Sequence, residues 1–183
     1  MNNMKRVIVL SAVLLLSACV GLPDNVTPVQ NFELQRYLGK WYEIARLDHS
    51  FERGLSNVTA QYSLRDDGGV TVVNRGYSKT KGSWKDAQGK AFFVRENTEG
   101  YLKVSFFSIF YGAYVVVELD QQGYQYALVS GPNKSYLWVL SRTPNLNPDV
   151  YQRLLAKASA LGFATDELIL VEHNEQYEFL NNY

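Results

Sequence analysis

Cysteine is almost missing: Cys19 is the only one among 183 residues. A lone cysteine forbids an intrachain disulfide and any cysteine-based zinc cluster. Histidine is scarce as well, with only His49 and His173, so acid–base or metal chemistry has few side chains to draw on. There is no excess of either charge, 18 Lys and Arg facing 18 Asp and Glu. Such a chain has no field to gather polyanions, which argues against nucleic acid as a partner. A long apolar run is missing too: residues 7–16 form the longest, well short of the ~20 needed to cross a bilayer. What the chain has in quantity is aromatic residues, 13 Tyr, 9 Phe and 3 Trp. That is too much apolar surface to leave in water, so disorder is excluded. Strands favour these residues, and the length suits one domain that needs no crosslink.

The first eighteen residues form an export signal. Lys5 and Arg6 precede the apolar run, and small Ser17 and Ala18 follow it. The sole cysteine comes next, in Leu16-Ser17-Ala18-Cys19. This order resembles the bacterial lipobox, in which the cysteine is acylated and becomes the first mature residue. Several acyl chains make a stable anchor where one is marginal. Position 20 holds Val rather than the Asp of the inner-membrane retention signal, so the resemblance implies an outer-membrane, lipid-anchored protein. Residues 19–30 include Pro23 and Pro28 among small polar residues, a composition that suits a linker or tether. Removal of the signal takes Lys5 and Arg6 with it and leaves a slight acidic excess.

From residue 31 the chain becomes a series of short strand signals. They fall at 41–46, 57–64, 70–77, 89–95, 101–107, 112–119, 124–130 and 136–142, eight in all. In the second, Val58, Ala60, Tyr62 and Leu64 alternate with polar neighbours, the period-two pattern of a half-buried strand. Asp66-Asp67-Gly68-Gly69 is a hairpin turn whose residues tolerate positive φ. Beyond Pro144 the period changes. Asn147 caps a helix with Pro148 at its first position; Val150, Leu154, Leu155, Ala158 and Leu161 recur at helical spacing, and Gly162 ends it. Residues 168–171 make one further short strand, and 172–183 form a polar, aromatic tail. The expected fold is therefore all-β: an eight-stranded antiparallel up-and-down barrel, with a C-terminal α-helix and a short extra strand. Closure removes sheet edges, and eight strands enclose either packed side chains or one small ligand. An open sandwich is the alternative. A membrane-embedded barrel fits poorly, because the strands mostly fall short of the ~9–11 residues needed.

Particular residues carry a resemblance. Gly39-Lys40-Trp41, preceded by Phe32 and Tyr37, is similar to the Gly-x-Trp signature that opens the lipocalin barrel. Arg142 resembles the basic residue that lies across that tryptophan and closes the base; a guanidinium over an indole gains ~0.5–2 kcal/mol. Trp41-Tyr42-Glu43-Ile44-Ala45-Arg46, Ser50-Phe51-Glu52-Arg53-Gly54, Val104-Ser105-Phe106-Phe107 and Tyr136-Leu137-Trp138 resemble the bacterial lipocalin lipoproteins of the apolipoprotein D-like branch. The likeness spans residues 31–171. It departs at Leu119-Asp120-Gln121-Gln122-Gly123-Tyr124, where only Asp120 aligns with the family's Thr-Asp-Tyr motif. It departs also in the tail, whose attachment must be non-covalent.

The resemblance implies a cup that binds a fatty acid, a lysophospholipid or a similar amphiphile, with no cofactor and no metal. Trp138, on the face shared with Arg142, is the first interior candidate. Phe106 and Tyr114 are further wall candidates, Tyr111 belongs at the cup mouth, and Phe92, Val72 and Tyr126 complete the set. The apolar loop 107–111 is an interaction patch that suits a membrane, a second copy in a homodimer, or the ligand's tail. Arg46 and Arg53 are expected to be solvated, with pairing to a lipid phosphate the alternative. Catalysis finds little support. Adjacent Asp48 and His49 point to opposite faces if extended, and Gly54-Leu55-Ser56-Asn57-Val58 lacks the last glycine of a nucleophile elbow. Binding, not turnover, is the expectation. The alternatives are a lipocalin-fold enzyme acting on a lipid, and an envelope-stress or structural lipoprotein with a filled barrel.

Overall fold

The computed structural model describes residues 20–107 and 109–174. The export signal, Cys19, Ser108 and the tail from residue 175 lie outside the described residues.

A four-residue helix α1 (Leu34–Tyr37) leads into eight antiparallel strands: β1 (Gly39–Arg46), β2 (Leu55–Leu64), β3 (Val70–Ser78), β4 (Ser83–Phe93), β5 (Tyr101–Phe107), β6 (Phe110–Leu119), β7 (Tyr126–Ser130) and β8 (Leu137–Ser141). Helix α2 (Pro148–Ala160) and the two-residue strand β9 (Ile169–Leu170) follow. Each strand pairs with its sequence neighbour, and β1 pairs with both β8 and β2, which closes the barrel. β9 stays outside, against the upper part of β1. The expected fold class is thus the observed one.

Local chemistry explains the turns. Gly68 adopts φ 78 in the β2–β3 hairpin, and the Asp67 carboxylate accepts from Gly69 N at 3.1 Å. The Asn147 side chain accepts from Asp149 N at 2.8 Å and Val150 N at 3.4 Å, capping α2, and Gly162 follows the helix at φ 83.

Strand ends shift by two or more residues from expectation in several places, and at β4 and β7 the cause is clear. β4 begins at Ser83, six residues ahead of the apolar alternation, because its polar start pairs fully with β3, with Trp84 set edge-to-face against Tyr77 and under the Arg75 guanidinium. β7 begins at Tyr126, since Tyr124 sits at φ 53 in a turn. There Asp120 accepts from Gln122 N and Gln125 N, and the Tyr124 hydroxyl accepts from Glu33 N. The variant loop therefore still ties to the barrel base.

The apolar residues form two cores. One fills the barrel around Trp41, Tyr62, Val116 and Leu140. The other lies outside the wall, where Leu154 and Ala158 of α2 cover Val115, Leu128 and Val139. Residues 20–30, read as a tether, are docked against this wall. Val26 is buried and Leu22 packs on the outer core; Val29 bonds through its backbone to Val116 and Gly100, both at 2.9 Å. Proline-rich composition described the segment's stiffness and missed its apolar contacts.

Candidate functional site

The base of the barrel is built around the Gly-x-Trp segment at the start of β1, and the opposite end, where β1 reaches Arg46, is its mouth. Trp41 is fully buried, and its indole N–H donates to Tyr37 O at 2.8 Å. The Arg142 guanidinium lies 3.9 Å from the centre of the Trp41 ring. It donates to Lys40 O at 2.9 Å, Arg36 O at 2.6 Å and Tyr124 O at 3.2 Å. Gly39 is needed beside it: φ is +94, and a Cβ there would sit 3.4 Å from an Arg142 nitrogen. Gly39, Trp41 and Arg142 are thus one unit that fastens α1 under the barrel.

Above the base stands a floor of three tyrosines. The Tyr114 hydroxyl lies 2.7 Å from that of Tyr37 and 2.9 Å from that of Tyr62. Burial raises the pKa of all three, so they stay protonated donors. Beside them is a void of about 10 Å³, lined otherwise by apolar residues including Val72, Leu102 and Val104. That is room for about one water; the floor is packed.

Of the expected wall residues, Val72 is buried in the inner core, and Phe106, Tyr114 and Trp138 pack against it. Three others face outward, contrary to expectation. Phe92 follows inward-facing Ala91 and pairs with Lys103 on the outer face. Tyr111 lies 6.5 Å from the Phe92 ring on that same outer side, not in the mouth. Tyr126 packs on the outer core and accepts from Arg153 of α2 at 2.7 Å. Their aromaticity suggested a cup; strand parity sends them out.

The mouth holds a group that residue type alone did not reveal. Arg46, expected to be solvated, is 1% exposed. It pairs with buried Glu43 at 2.7 Å and donates to the backbone of Glu52 and Leu55 at 2.9 and 3.3 Å. The buried Glu52 carboxylate accepts from the Trp138 indole at 3.0 Å. Burial, and then the Glu52 carboxylate, pushes the Glu43 carboxyl up to about 8 against the pull of Arg46. Burial also raises Glu52, opposed by the Trp138 N–H and Arg46. Near neutral pH the Glu43 carboxyl therefore holds its proton.

His49 stacks nearly parallel with Tyr136 and Phe51, at 4.6 and 5.2 Å, and tilts against Trp138. Burial and the Arg46 charge push its pKa down to about 4, so it is neutral at pH 7. Arg46 Nε and His49 Nε2 are buried with no hydrogen-bond partner among the described residues. Arg53 is exposed and pairs with Asp48, as a surface charge does. Residue spacing gave no signal for this cluster, because plain alternation sets Glu43 and Arg46 on opposite faces of β1; a bulge brings them together, and Glu52 and Trp138 join only through the fold. Among the described residues no cluster of three acidic, His or Cys side chains is placed to hold a metal.

Residues 171–174 seal the gap where β1 leaves β2. Val171 N donates to Ile44 O, Asn57 N to Glu172 O, and His173 contacts Glu43 O at 2.8 Å. This stretch of the tail is attached without a covalent link.

A closed antiparallel barrel, with an arginine-clamped tryptophan at its base, an apolar wall and a flanking helix, is the architecture of a lipocalin. A family model described as a lipocalin-like domain matches residues 32–173, and the chain belongs to that family. It is 56% identical over 169 residues to the outer membrane lipoprotein Blc of Vibrio cholerae, covering 92% of this chain and 99% of that one. With the protein of the same name from Escherichia coli it shares 54% identity over 150 residues, 82% and 84% of the two chains. Among solved structures, the cockroach allergen Per a 4 has the same fold at a TM-score of 0.67 and 18% identity, over 87% of this chain and 99% of that one.

Proposed function

We propose that this chain is an outer-membrane lipoprotein, acylated at Cys19, whose cup binds a single-chain amphiphile such as a fatty acid or lysophospholipid. The names of its relatives support the location, and the lipobox-like Leu16-Ser17-Ala18-Cys19 supports the attachment. One observation carries the binding reading: an apolar wall (Val72, Phe106, Trp138) beneath a mouth with two unpartnered buried nitrogens, Arg46 Nε and His49 Nε2. An acyl chain would bury apolar surface at ~25 cal/mol per Å², while a head-group oxygen would take the nitrogens. The packed floor means that the chain enters only as partly exposed Phe106, Tyr114 and Trp138 move aside.

Displacement of a fluorescent fatty acid from purified protein tests this. Trp138→Ala should weaken displacement about tenfold, the equivalent of ~1.4 kcal/mol of lost wall contact. The packed floor favours a second reading, a structural lipoprotein with a filled barrel. Wild-type protein that neither binds the probe nor releases it to lysophospholipid would select that reading.

A further inference from the structure

The tip of the β5–β6 hairpin is the most apolar exposed point of the described chain. Phe107, Ile109 and Phe110 are 77%, 74% and 72% exposed. Chains rarely leave three such side chains together in water without a partner. The outer face below the tip is aromatic and basic. Phe92 stands opposite Lys103 and Lys90 opposite Ser105 in the β4–β5 ladder, and the Lys103 ammonium lies 5.2 Å over the Tyr111 ring. At the other end of β5 the Tyr101 hydroxyl donates to the Val20 carbonyl. Arg95, paired with Glu99 at 3.8 Å, leans over the Tyr101 ring. The docked N-terminal segment therefore ends beside β5, one residue after Cys19. The tip and this exit lie at opposite ends of one strand, roughly 20 Å apart at ~3.4 Å per residue.

We infer that the β5–β6 tip and the outer face of β4 and β5 beside it rest on an anionic lipid surface. Phe107, Ile109 and Phe110 enter the headgroup region, and Lys90, Lys103 and Arg95 meet lipid phosphates. The barrel then lies on its side, fastened at both ends of β5. Aromatic rings and basic stems suit a membrane interface, where rings sit at headgroup depth and charges reach water. A second copy fits less well. A two-fold contact sets a patch against itself and would bring these cations together, whereas anionic lipid attracts each of them. A docked exit also keeps this face near the bilayer, which a loose tether would not do.

The inference rests on the attachment proposed above, and the test separates the two. Acylation blocks the Cys19 sulfur, so Ile109→Cys gives the acylated protein one reactive thiol for an environment-sensitive fluorophore. Gln61→Cys, on exposed β2 three strands away, is the control. The labelled proteins are incorporated in phosphatidylethanolamine–phosphatidylglycerol vesicles containing brominated acyl chains, and the vesicles are floated. The expected result is flotation of both, with most of the emission quenched at 109 and little at 61. Flotation without quenching at 109 would overturn the lipid contact and leave the attachment standing. Failure of both to float would overturn the attachment and the contact together. A label at 109 unquenched by lipid, in a protein of doubled mass, would give the tip to a second copy.

Discussion

Arg142→Ala should loosen the base of the barrel by about 3 kcal/mol. The guanidinium sits 3.9 Å from the Trp41 ring centre, a contact worth about 1 kcal/mol in a half-buried setting. It also donates to three carbonyls, those of Arg36, Lys40 and Tyr124. Each would contribute ~1.5 kcal/mol or more from a charged donor if buried. Partial exposure lets water replace part of that, so about half is counted. At ~2–4 °C per kcal/mol for a chain of this length, the melting temperature should fall by about 6–12 °C. Thermal and urea unfolding followed by circular dichroism would measure it, with the midpoint shifting and the urea slope unchanged. Arg142→Lys should recover little, because an ammonium can neither stack flat nor fork to three carbonyls. A double-mutant cycle with Trp41→Phe should show coupling of about 1 kcal/mol. A loss below ~1 kcal/mol for Arg142→Ala, or full rescue by lysine, would refute the clamp and leave α1 held by its other ties, those of Trp41 to Tyr37 and of Tyr124 to Glu33 among them.

Glu43 gives a pH signature. Its carboxyl rises from an ordinary 4.5 to about 8 on folding, so the stability tied to its protonation is whole below 4.5 and lost as pH climbs to about 8. His49 is neutral in both states above its ordinary 6.5; stability should therefore drop by about 1–2 kcal/mol between pH 6.5 and 8. Glu43→Gln should flatten that slope, and an equal slope in the variant, by urea unfolding at each pH, would move the proton elsewhere. Cys19→Ser should yield protein without acyl mass that leaves the outer-membrane fraction; a variant retained there with its signal cleaved would count against the anchor.

The strand pattern was legible because each barrel strand buries one face, and Tyr62, Val72 and Ala91 keep strict parity across two ladders. The helix was legible through Asn147, Pro148 and Gly162, whose chemistry is local. Phe92, Tyr111 and Tyr126 were misplaced because aromatic residues serve both walls of a barrel flanked by a helix. The side each faces follows from register, which depends on partners far along the chain. Arg46 was misread for a related reason. A bulge between Glu43 and Ala45 breaks the β1–β8 register, so Arg46 is buried beside Glu43 where simple alternation from Trp41 and Glu43 would turn it outward. The N-terminal linker misled through composition: its prolines describe a stiff segment, while Leu22, Val26 and Val29 were the residues that hinted at docking.

The mouth cluster is hard to explain as a stabilising device. A buried arginine between two carboxyls adds little over apolar residues of the same volume, because desolvation offsets attraction. Two buried nitrogens without partners cost about 1–3 kcal/mol each on top of that. The same barrel closes its base with an arginine that finds three carbonyls. Exceptions to local rules gather at functional sites. A filled structural barrel would have no use for unmatched polar atoms beside Trp138, whereas a cup that takes in an amphiphile needs its polar groups unspent at the entrance. The cost at the mouth therefore weighs toward binding more heavily than the packed floor weighs against it.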